Sequence, residues 1–249
     1  VDGIKDLVDF FLKEKPNALV TTVKHEDNRR LGVPLFDSKG HFIQYIEKPE
    51  NPPNNFAIPG LYFFDDNVFK CFKGAGSIKP SERGELEISA PYNWLIERKY
   101  RVDALEYKGV WMDPGKFDDW LLANKYLLEH KLEEVREAQV DSRSHISGKV
   151  SIGKDTVVVN SKIQGPVIIG DNVIIKNSSI GPYTSISDSC EIVGSSIENS
   201  VLMNGVKVYD VSKHRVRTSL IGTDSEILGS DDKGAVTSLF VGEKCKIQI

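Results

Sequence analysis

The most regular pattern in the chain lies in residues 146–196, which run ISGKVSIGKDTVVVNSK, IQGPVIIGDNVIIKNSS and IGPYTSISDSCEIVGSS in three successive blocks of equal length. Three aliphatic columns repeat in step along these blocks: Ile146, Ile163, Ile180 and Ile197; Ile152, Ile169 and Ile186; Val158, Ile175 and Ile192. Within one block, the residues of the three columns are separated by short steps of similar length. Each side of a triangular coil thus receives one aliphatic side chain. This periodicity predicts a parallel β-helix of hexapeptide repeats.

The repeat is interrupted twice toward its end. Residues 209–217 fit none of the columns and are predicted to be an excursion, and residues 229–234 are predicted to be a second one. The coil is predicted to continue with a three-residue insertion, because two aliphatic pairs keep the same lengthened spacing: Ile221 with Val241, and Ile227 with Ile247. A β-sandwich would give alternation with a period of two, but no reason for three columns to stay in step.

The chain before residue 130 carries a different pattern, in which strands alternate with helices. Apolar runs bounded by turn residues predict strands, and apolar positions at helical spacing predict helices. The predicted strands are 18–23, 32–36, 41–46, 58–64 and 102–107, and the predicted helices are 4–12, 87–98 and 117–128. Strands interleaved with helices indicate an α/β layered fold with a mostly parallel or mixed sheet.

The length of 249 residues is enough for two modest domains, each with its own core. The change of pattern predicts an α/β domain over residues 1–131, a charged linker over residues 132–141 and the β-helix over residues 142–249. The chain begins at Val1 instead of Met and enters a helical pattern almost at once. It is therefore expected to be a piece of a longer protein.

Composition excludes several classes of protein. A net charge of −4, with 32 Lys and Arg spread along the chain, argues against a nucleic-acid-binding surface. No apolar run approaches the roughly 20 residues of a membrane span. Cys71, Cys190 and Cys245 are an odd number at wide spacing, which is typical of a reducing compartment. We predict a cytoplasmic protein that contacts neither membrane nor nucleic acid.

Four motifs in the first half resemble those of the sugar-1-phosphate nucleotidylyltransferases. They stand in the order and spacing of that family: Ile46–Pro49 (IEKP), Gly60–Phe64 (GLYFF), Arg83–Ile88 (RGELEI) and Trp111–Lys116 (WMDPGK). The closest resemblance is to long-form glucose-1-phosphate thymidylyltransferases, which carry a left-handed β-helix after the catalytic domain. The left hand of the helix is implied by this resemblance and not by the spacing.

The resemblance implies an enzyme that forms an NDP-sugar, of the dTDP-glucose or UDP-sugar type, and pyrophosphate from a sugar 1-phosphate and a nucleoside triphosphate. It implies that this chain holds the C-terminal, sugar-phosphate-binding part of a Rossmann-like nucleotide-diphospho-sugar transferase domain. The reaction brings two polyanions together, so placed cations and a divalent metal ion must neutralise them.

The resemblance also assigns roles to residues. Lys48 and Arg83 match positions that hold the sugar phosphate, where an ammonium and a guanidinium are suitable partners. Asp113 matches one of two aspartates that hold Mg²⁺, a hard cation that prefers oxygen ligands. The residues that match the lining of the sugar pocket are Gly32, Glu47, Ile58, Tyr62 and Glu87.

The other aspartate and the Gly-rich segment that cradles the triphosphate would lie before Val1. We therefore expect this chain, taken alone, neither to bind a nucleotide tightly nor to turn over.

Four alternatives stay open at this point. Lys48 could be a solvated lysine at a strand end, and Asp113 could cap the helix that follows Pro114 and Gly115. The β-helix could transfer acyl groups from acetyl-CoA, with His214 or His145 as the general base. It could also be a non-catalytic assembly module, since stacked coils expose flat faces through which homo-oligomers, trimers or larger, can form.

Overall fold

The computed structural model describes residues 3–82, 84–211, 215–229 and 238–249. The chain divides into two compact units, Val1–Trp111 and Met112–Ile249. The first unit is an α/β layer structure and the second is dominated by a parallel β-solenoid, which confirms the predicted fold class. Among the described residues, no helix combines the length and the apolar character needed to cross a bilayer.

The first unit is built around one buried strand. Its elements are α1 (Ile4–Glu14), β1 (Ala18–Lys24), β2 (Gly32–Phe36), β3 (Phe42–Glu47), β4 (Phe56–Ala57), β5 (Tyr62–Phe64), a 3₁₀ helix (Asp66–Phe72), α2 (Ser89–Glu97) and β6 (Val102–Glu106). Strand β1 pairs antiparallel with β4 and β5 and parallel with β6, so the sheet is mixed. Strands β2 and β3 form a separate antiparallel hairpin.

Strand β1 is buried over all but its last residue, which agrees with its almost continuous apolar sequence. Helix α2 packs against this strand through Tyr92, whose ring is fully buried. The Tyr92 hydroxyl donates a hydrogen bond to the carbonyl oxygen of Leu19 at 3.2 Å, so the buried polar atom is satisfied. The core of this unit therefore fixes α2 beside the strands that carry the predicted sugar pocket.

The second unit begins with helix α3 (Phe117–His130). The strands that follow are β7 (Gln139–Val140), β8 (His145–Ser147), β9 (Val150–Ile152), β10 (Val157–Val159), β11 (Lys162–Gln164), β12 (Val167–Ile169), β13 (Ile174–Lys176), β14 (Ser179–Ile180), β15 (Thr184–Ile186), β16 (Glu191–Val193), β17 (Ser196–Glu198), β18 (Val201–Leu202), β19 (Lys207–Tyr209), β20 (Val216–Arg217), β21 (Leu220–Ile221), β22 (Glu226–Leu228), β23 (Phe240–Val241) and β24 (Lys246–Gln248). Up to β22, every third strand joins the same parallel sheet; β23 then pairs with β21, and β24 with β22, so that the described strands form three such sheets.

The three predicted columns are the three inner faces of these sheets. Ile163 pairs with Ile146 and Ile180, Ile169 pairs with Ile152 and Ile186, and Ile175 pairs with Val158 and Ile192. Nearly all of these side chains are buried in a single core, with Ile146 partly buried at its edge. The period of the repeat, which is the spacing from Ile146 to Ile163, is confirmed as one turn of the solenoid.

The first predicted excursion is shorter than the sequence suggested. Tyr209 belongs to β19 and pairs with Val193, and Val216 belongs to β20 and pairs with Ile197. The prediction for residues 209–217 was therefore wrong at both ends. Val216 comes slightly later in the chain than the regular period would place it. A short insertion therefore obscures, in the sequence, that Val216 continues the column of Ile197.

The later part of the solenoid keeps its predicted spacing. Ile221 pairs with Val241, and Ile227 pairs with Ile247, as the lengthened spacing of both pairs predicted. Of the second predicted excursion, residues 230–234 lie outside the described residues. The insertion between these turns is thus accommodated without a shift of the two columns.

Helix α3 packs on the solenoid. The Asn124 amide donates to the carbonyl oxygen of Tyr183 at 3.0 Å, and its oxygen accepts a hydrogen bond from the Ser185 hydroxyl at 2.5 Å. The ring of Phe117 stacks on that of Phe240 at 4.8 Å. Because of these contacts, the compact units divide after Trp111, whereas the predicted domain limits are 131 and 142.

Candidate functional site

Three predicted pocket residues meet at one end of the β2–β3 hairpin. Gly32 lies opposite Glu47 in the antiparallel register. The backbone N–H of Ile58 donates to the carbonyl oxygen of Gly32 at 2.7 Å, which brings the segment before β5 alongside β2. A carboxylate, an apolar side chain and a glycine are thereby placed side by side.

Lys48 follows β3 in an unusual backbone conformation. Its φ of 45° lies in the left-handed region, and its N–H donates to the carbonyl oxygen of Leu31 at 3.1 Å. Such a conformation is uncommon for a residue other than glycine. The side chain is 44% exposed, and its Nζ lies 3.8 Å from Oε1 of Glu47. The ammonium group therefore lies beside Glu47, which is predicted to bind the sugar, and is open to solvent.

Tyr62 also belongs to this group, and it shares a packing partner with Tyr45. The rings of Tyr45 and Tyr62 both pack against the ring of Tyr92, with 5.8 and 6.3 Å between centroids. Burial is the main cause that raises the pKa of each tyrosine, and the Glu47 carboxylate adds to it. Both phenols are therefore protonated at neutral pH and can donate hydrogen bonds. We call the residues Gly32, Glu47, Lys48, Ile58 and Tyr62 the β2–β3 pocket.

Glu87 lies in a neighbouring cavity of about 390 Å³, whose lining includes Ser81, Trp94 and Arg98. The Ser81 hydroxyl donates to Oε1 of Glu87 at 3.2 Å. Asn93 also lines this cavity, and its side chain bonds both the N–H and the carbonyl oxygen of Tyr45, at 2.8 and 2.9 Å. Asn93 thus joins the lining of this cavity to strand β3. Arg83, predicted to hold the sugar phosphate, lies outside the described residues.

Asp113 lies in an exposed segment before α3, in the second unit. The N-cap of α3 is Lys116, whose N–H donates to Oδ2 of Asp119 at 3.1 Å. The alternative that Asp113 caps this helix was therefore wrong. Within the described residues, no hydrogen bond or ion pair engages the Asp113 carboxylate.

This setting of Asp113 fits a magnesium ion. In the described part of the chain, no group of three or more His, Cys, Asp or Glu is arranged to hold a metal, which speaks against a closed structural site there. Mg²⁺ keeps several waters and is commonly bound through one or two carboxylates and substrate phosphate. A single unengaged carboxylate is consistent with that mode of binding.

Of the two histidines considered for acyl transfer, one lies in the described residues. His145 is exposed at the start of β8, where it lines a groove of about 500 Å³ together with Lys162, Ser179 and Asn177. His214 lies outside the described residues. Acyl transfer thus stays a prediction.

The structure adds two residues to the site that the sequence did not suggest. Tyr45 is only 3% exposed, with its hydroxyl against Gly32, and Asn93 fixes the backbone of Tyr45. Tyr45 could have been found from strand alternation, because it stands two positions before Glu47 and so shares its face. No pattern in the sequence singled out Asn93, because an asparagine in a helix has many possible roles.

The α/β unit with its pocket and the solenoid together define a nucleotidyltransferase with a C-terminal β-solenoid. The family model for nucleotidyl transferases matches residues 2–130. The chain belongs to the nucleotidyl transferase family, whose members generally use a divalent metal ion.

Curated relatives agree with this assignment. The chain is 34% identical over 250 residues to a glucose-1-phosphate thymidylyltransferase of Streptomyces antibioticus and 30% identical over 249 residues to that of Streptomyces griseus. Each alignment covers 100% of this chain and 68% of the relative. A bifunctional sugar-1-phosphate nucleotidylyltransferase/acetyltransferase of Sulfurisphaera tokodaii is 35% identical over 144 residues, which is 58% of this chain and 35% of that protein.

Proposed function

We propose that this chain binds a hexose 1-phosphate for its conversion to an NDP-sugar, of the dTDP-glucose or UDP-sugar type. The observation that carries the proposal is the β2–β3 pocket, in which the Lys48 ammonium group lies 3.8 Å from the Glu47 carboxylate and Gly32 lies opposite Glu47. Relatives aligned over the whole chain are glucose-1-phosphate thymidylyltransferases, which supports the same substrate class.

The proposed reaction transfers a nucleotidyl group. A phosphate oxygen of the sugar 1-phosphate attacks the α-phosphorus of a nucleoside triphosphate, and the bond from that phosphorus to the bridging oxygen of pyrophosphate breaks. Positioning and charge neutralisation supply most of the catalysis in such transfers. Lys48 presents one positive charge to the sugar phosphate, and Arg83 is proposed to present a second.

The remaining pocket residues face the sugar in this proposal. The Glu47 carboxylate accepts hydrogen bonds from sugar hydroxyls, and the Tyr62 hydroxyl donates one. Gly32 leaves room for the Tyr45 phenol in the wall of the pocket, and Ile58 offers an apolar surface. Glu87 is proposed to act from the adjoining cavity.

Asp113 is proposed as a ligand of Mg²⁺. When bound, the ion supplies positive charge between the phosphate groups of the two substrates. Asp113 offers one carboxylate for it, and water and phosphate oxygens would complete the coordination.

The proposal is tested by calorimetric titration of glucose 1-phosphate into the chain, since Lys48 is assigned to the sugar phosphate. The native chain is expected to bind it, and Lys48→Met is expected to bind it at least about tenfold more weakly, because a hydrogen bond to a charged group contributes about 1.5–3 kcal/mol. Lys39→Met, in the exposed turn between β2 and β3, is the matched control and is expected to bind like the native chain. Equal affinities of the native chain and Lys48→Met would contradict the proposal.

A further inference from the structure

The outer edge of β3 carries backbone groups that β2 does not bond. Tyr45 lies opposite Pro34 in the antiparallel register, and proline has no N–H to donate. Opposite residues of such a pair alternate between those that exchange hydrogen bonds and those that turn their polar groups outward. Tyr45 and Pro34 are of the second kind, because the Pro34 carbonyl oxygen accepts from the Asn54 amide instead, at 2.6 Å. Among the described strands β3 pairs only with β2, so Tyr45 needs a partner from outside the sheet.

Asn93 of helix α2 supplies this partner. Its Oδ1 accepts from the Tyr45 N–H at 2.8 Å, and its Nδ2 donates to the Tyr45 carbonyl oxygen at 2.9 Å. An amide side chain carries an acceptor and a donor side by side, so it takes the place of a neighbouring strand at this one residue. Packing also holds Tyr45, whose ring lies 5.8 Å from that of Tyr92 and over Gly32. Packing is non-directional, whereas the two hydrogen bonds fix which residue of β3 lies beside the helix.

Two predicted sugar ligands lie on either side of this bridge. Glu47 follows Tyr45 by two positions on β3. Glu87 precedes α2, and its carbonyl oxygen accepts from the N–H of Ala90, in the first turn of the helix, at 3.0 Å. Glu87 and Asn93 also line the same cavity. The bridge therefore joins the strand that carries Glu47 to the helix that follows Glu87.

We propose that Asn93 is a positioning residue of the sugar site: its two hydrogen bonds to Tyr45 set the separation between Glu47 and Glu87, so that both carboxylates reach the same hexose 1-phosphate. Two acceptors on different elements bind one sugar only if the elements are held at a fixed spacing. The inference rests on the proposed function and extends it, because it assigns the geometry of the sugar site to a residue outside the β2–β3 pocket.

The first test is calorimetric titration of glucose 1-phosphate into the native chain, Asn93→Ala and a control, Asn17→Ala. Asn17 is half-buried like Asn93 and also makes two hydrogen bonds, to Asp65 and to the Arg101 N–H, at 2.7 and 2.9 Å. Both variants are expected to lower the urea midpoint of unfolding. Only Asn93→Ala is expected to weaken binding, by about tenfold, whereas Asn17→Ala is expected to stay within about twofold of the native affinity.

A double-mutant cycle separates positioning from a general loss of order. Glu47→Gln is expected to weaken binding about tenfold in the native chain and in the Asn17→Ala chain. In the Asn93→Ala chain, the same change is expected to cost about threefold or less, because the carboxylate is already displaced from the sugar.

A conservative variant keeps the test decisive if Asn93→Ala does not fold. The carboxylate of Asn93→Asp accepts from the Tyr45 N–H but has no hydrogen for the carbonyl oxygen, whereas its protonated form can do both. The ratio of native to variant affinity is therefore expected to fall from about tenfold at pH 8 to about threefold or less at pH 5. The other charged groups that line the cavity are the same in both chains, so their titration cancels in the ratio: Lys79, Glu87, Glu97 and Arg98.

Three results would overturn the role of Asn93 while leaving the proposed function in place. One is native affinity in Asn93→Ala with a lowered urea midpoint, which would indicate a structural role only. Another is a full tenfold effect of Glu47→Gln in the Asn93→Ala chain. The third is a ratio for Asn93→Asp that stays constant from pH 8 to pH 5. Failure of the native chain to bind glucose 1-phosphate would instead refute the proposed function, and the inference with it.

Discussion

In the solenoid, each buried side chain stacks on an equivalent side chain from the next turn, whereas in the β2–β3 pocket each contact joins two residues of different kinds. Ile163 lies between Ile146 and Ile180, and the same relation is repeated on every side of the coil. In the pocket, the Tyr45 side chain instead requires a glycine at position 32, and the Asn93 side chain holds the backbone of Tyr45. The solenoid thus spreads its stability over many similar contacts, and the pocket depends on a few particular ones.

This difference predicts that the largest losses of stability come from the inner columns of the solenoid. Ile169 is 2% exposed and Ile168, its neighbour on β12, is 40% exposed on the opposite face. Ile169→Ala is expected to lower the free energy of unfolding by about 2–5 kcal/mol, because it leaves a cavity in the core. Ile168→Ala, the matched control, is expected to cost less than about 1 kcal/mol. The measurement is urea unfolding followed by circular dichroism, and similar losses in both variants would refute the assignment of the columns to the interior.

In the pocket, a single methyl group is expected to have a smaller effect on stability and a large one on binding. The added methyl of Gly32→Ala would collide with the Tyr45 phenol, which is packed on Tyr92. We expect a loss of about 1–3 kcal/mol in the free energy of unfolding from overpacking, and at least about tenfold weaker binding of glucose 1-phosphate.

The control for Gly32→Ala is Gly60→Ala, because a Cβ at position 60 would meet no atom within 4 Å. Its stability and affinity are expected to remain close to those of the native chain. Native affinity in Gly32→Ala would show that the contact between Gly32 and Tyr45 does not shape the pocket.

The smallest expected effect concerns the first turn of the solenoid and depends on pH. The Ser144 hydroxyl, at 2.5 Å, and the Asn160 N–H, at 2.9 Å, donate to Asp141 and, with Arg143, lower its pKa to about 2. Because the pKa is about 3.9 in the unfolded chain, the ionised carboxylate stabilises the fold above pH 4 and loses this effect as the pH falls toward 2. The difference in urea midpoint between the native chain and Asp141→Asn is expected to shrink over that interval. A difference that stays constant from pH 6 to pH 2 would contradict this role.

The sequence alone was sufficient for the parts of the fold that repeat or alternate. The columns through Ile163, Ile169 and Ile175 were predicted because their spacing is set by the backbone of each coil. The β2–β3 hairpin and helix α3 were predicted because their apolar periods are local. Val216 was missed, since a short insertion changes the spacing without changing the inner face.

The site was only partly accessible from the sequence. Gly32, Glu47 and Ile58 were predicted from the family motifs, and the structure brings them together through the strand register. Tyr45 was missed, although it shares a face of β3 with Glu47, because its contact with Gly32 of the preceding strand depends on the register of the hairpin. Asp113 could not be distinguished from a helix cap, because Pro114 and Gly115 suit both roles.

The central claim is that the β2–β3 pocket holds the sugar phosphate. A crystal structure of the chain with glucose 1-phosphate tests it most directly. We predict that the phosphate lies within hydrogen-bonding distance of the Lys48 ammonium group, with a sugar hydroxyl on Glu47. A sugar phosphate bound in the cavity lined by Trp94 and Arg98, with Lys48 in contact with solvent only, would contradict the account.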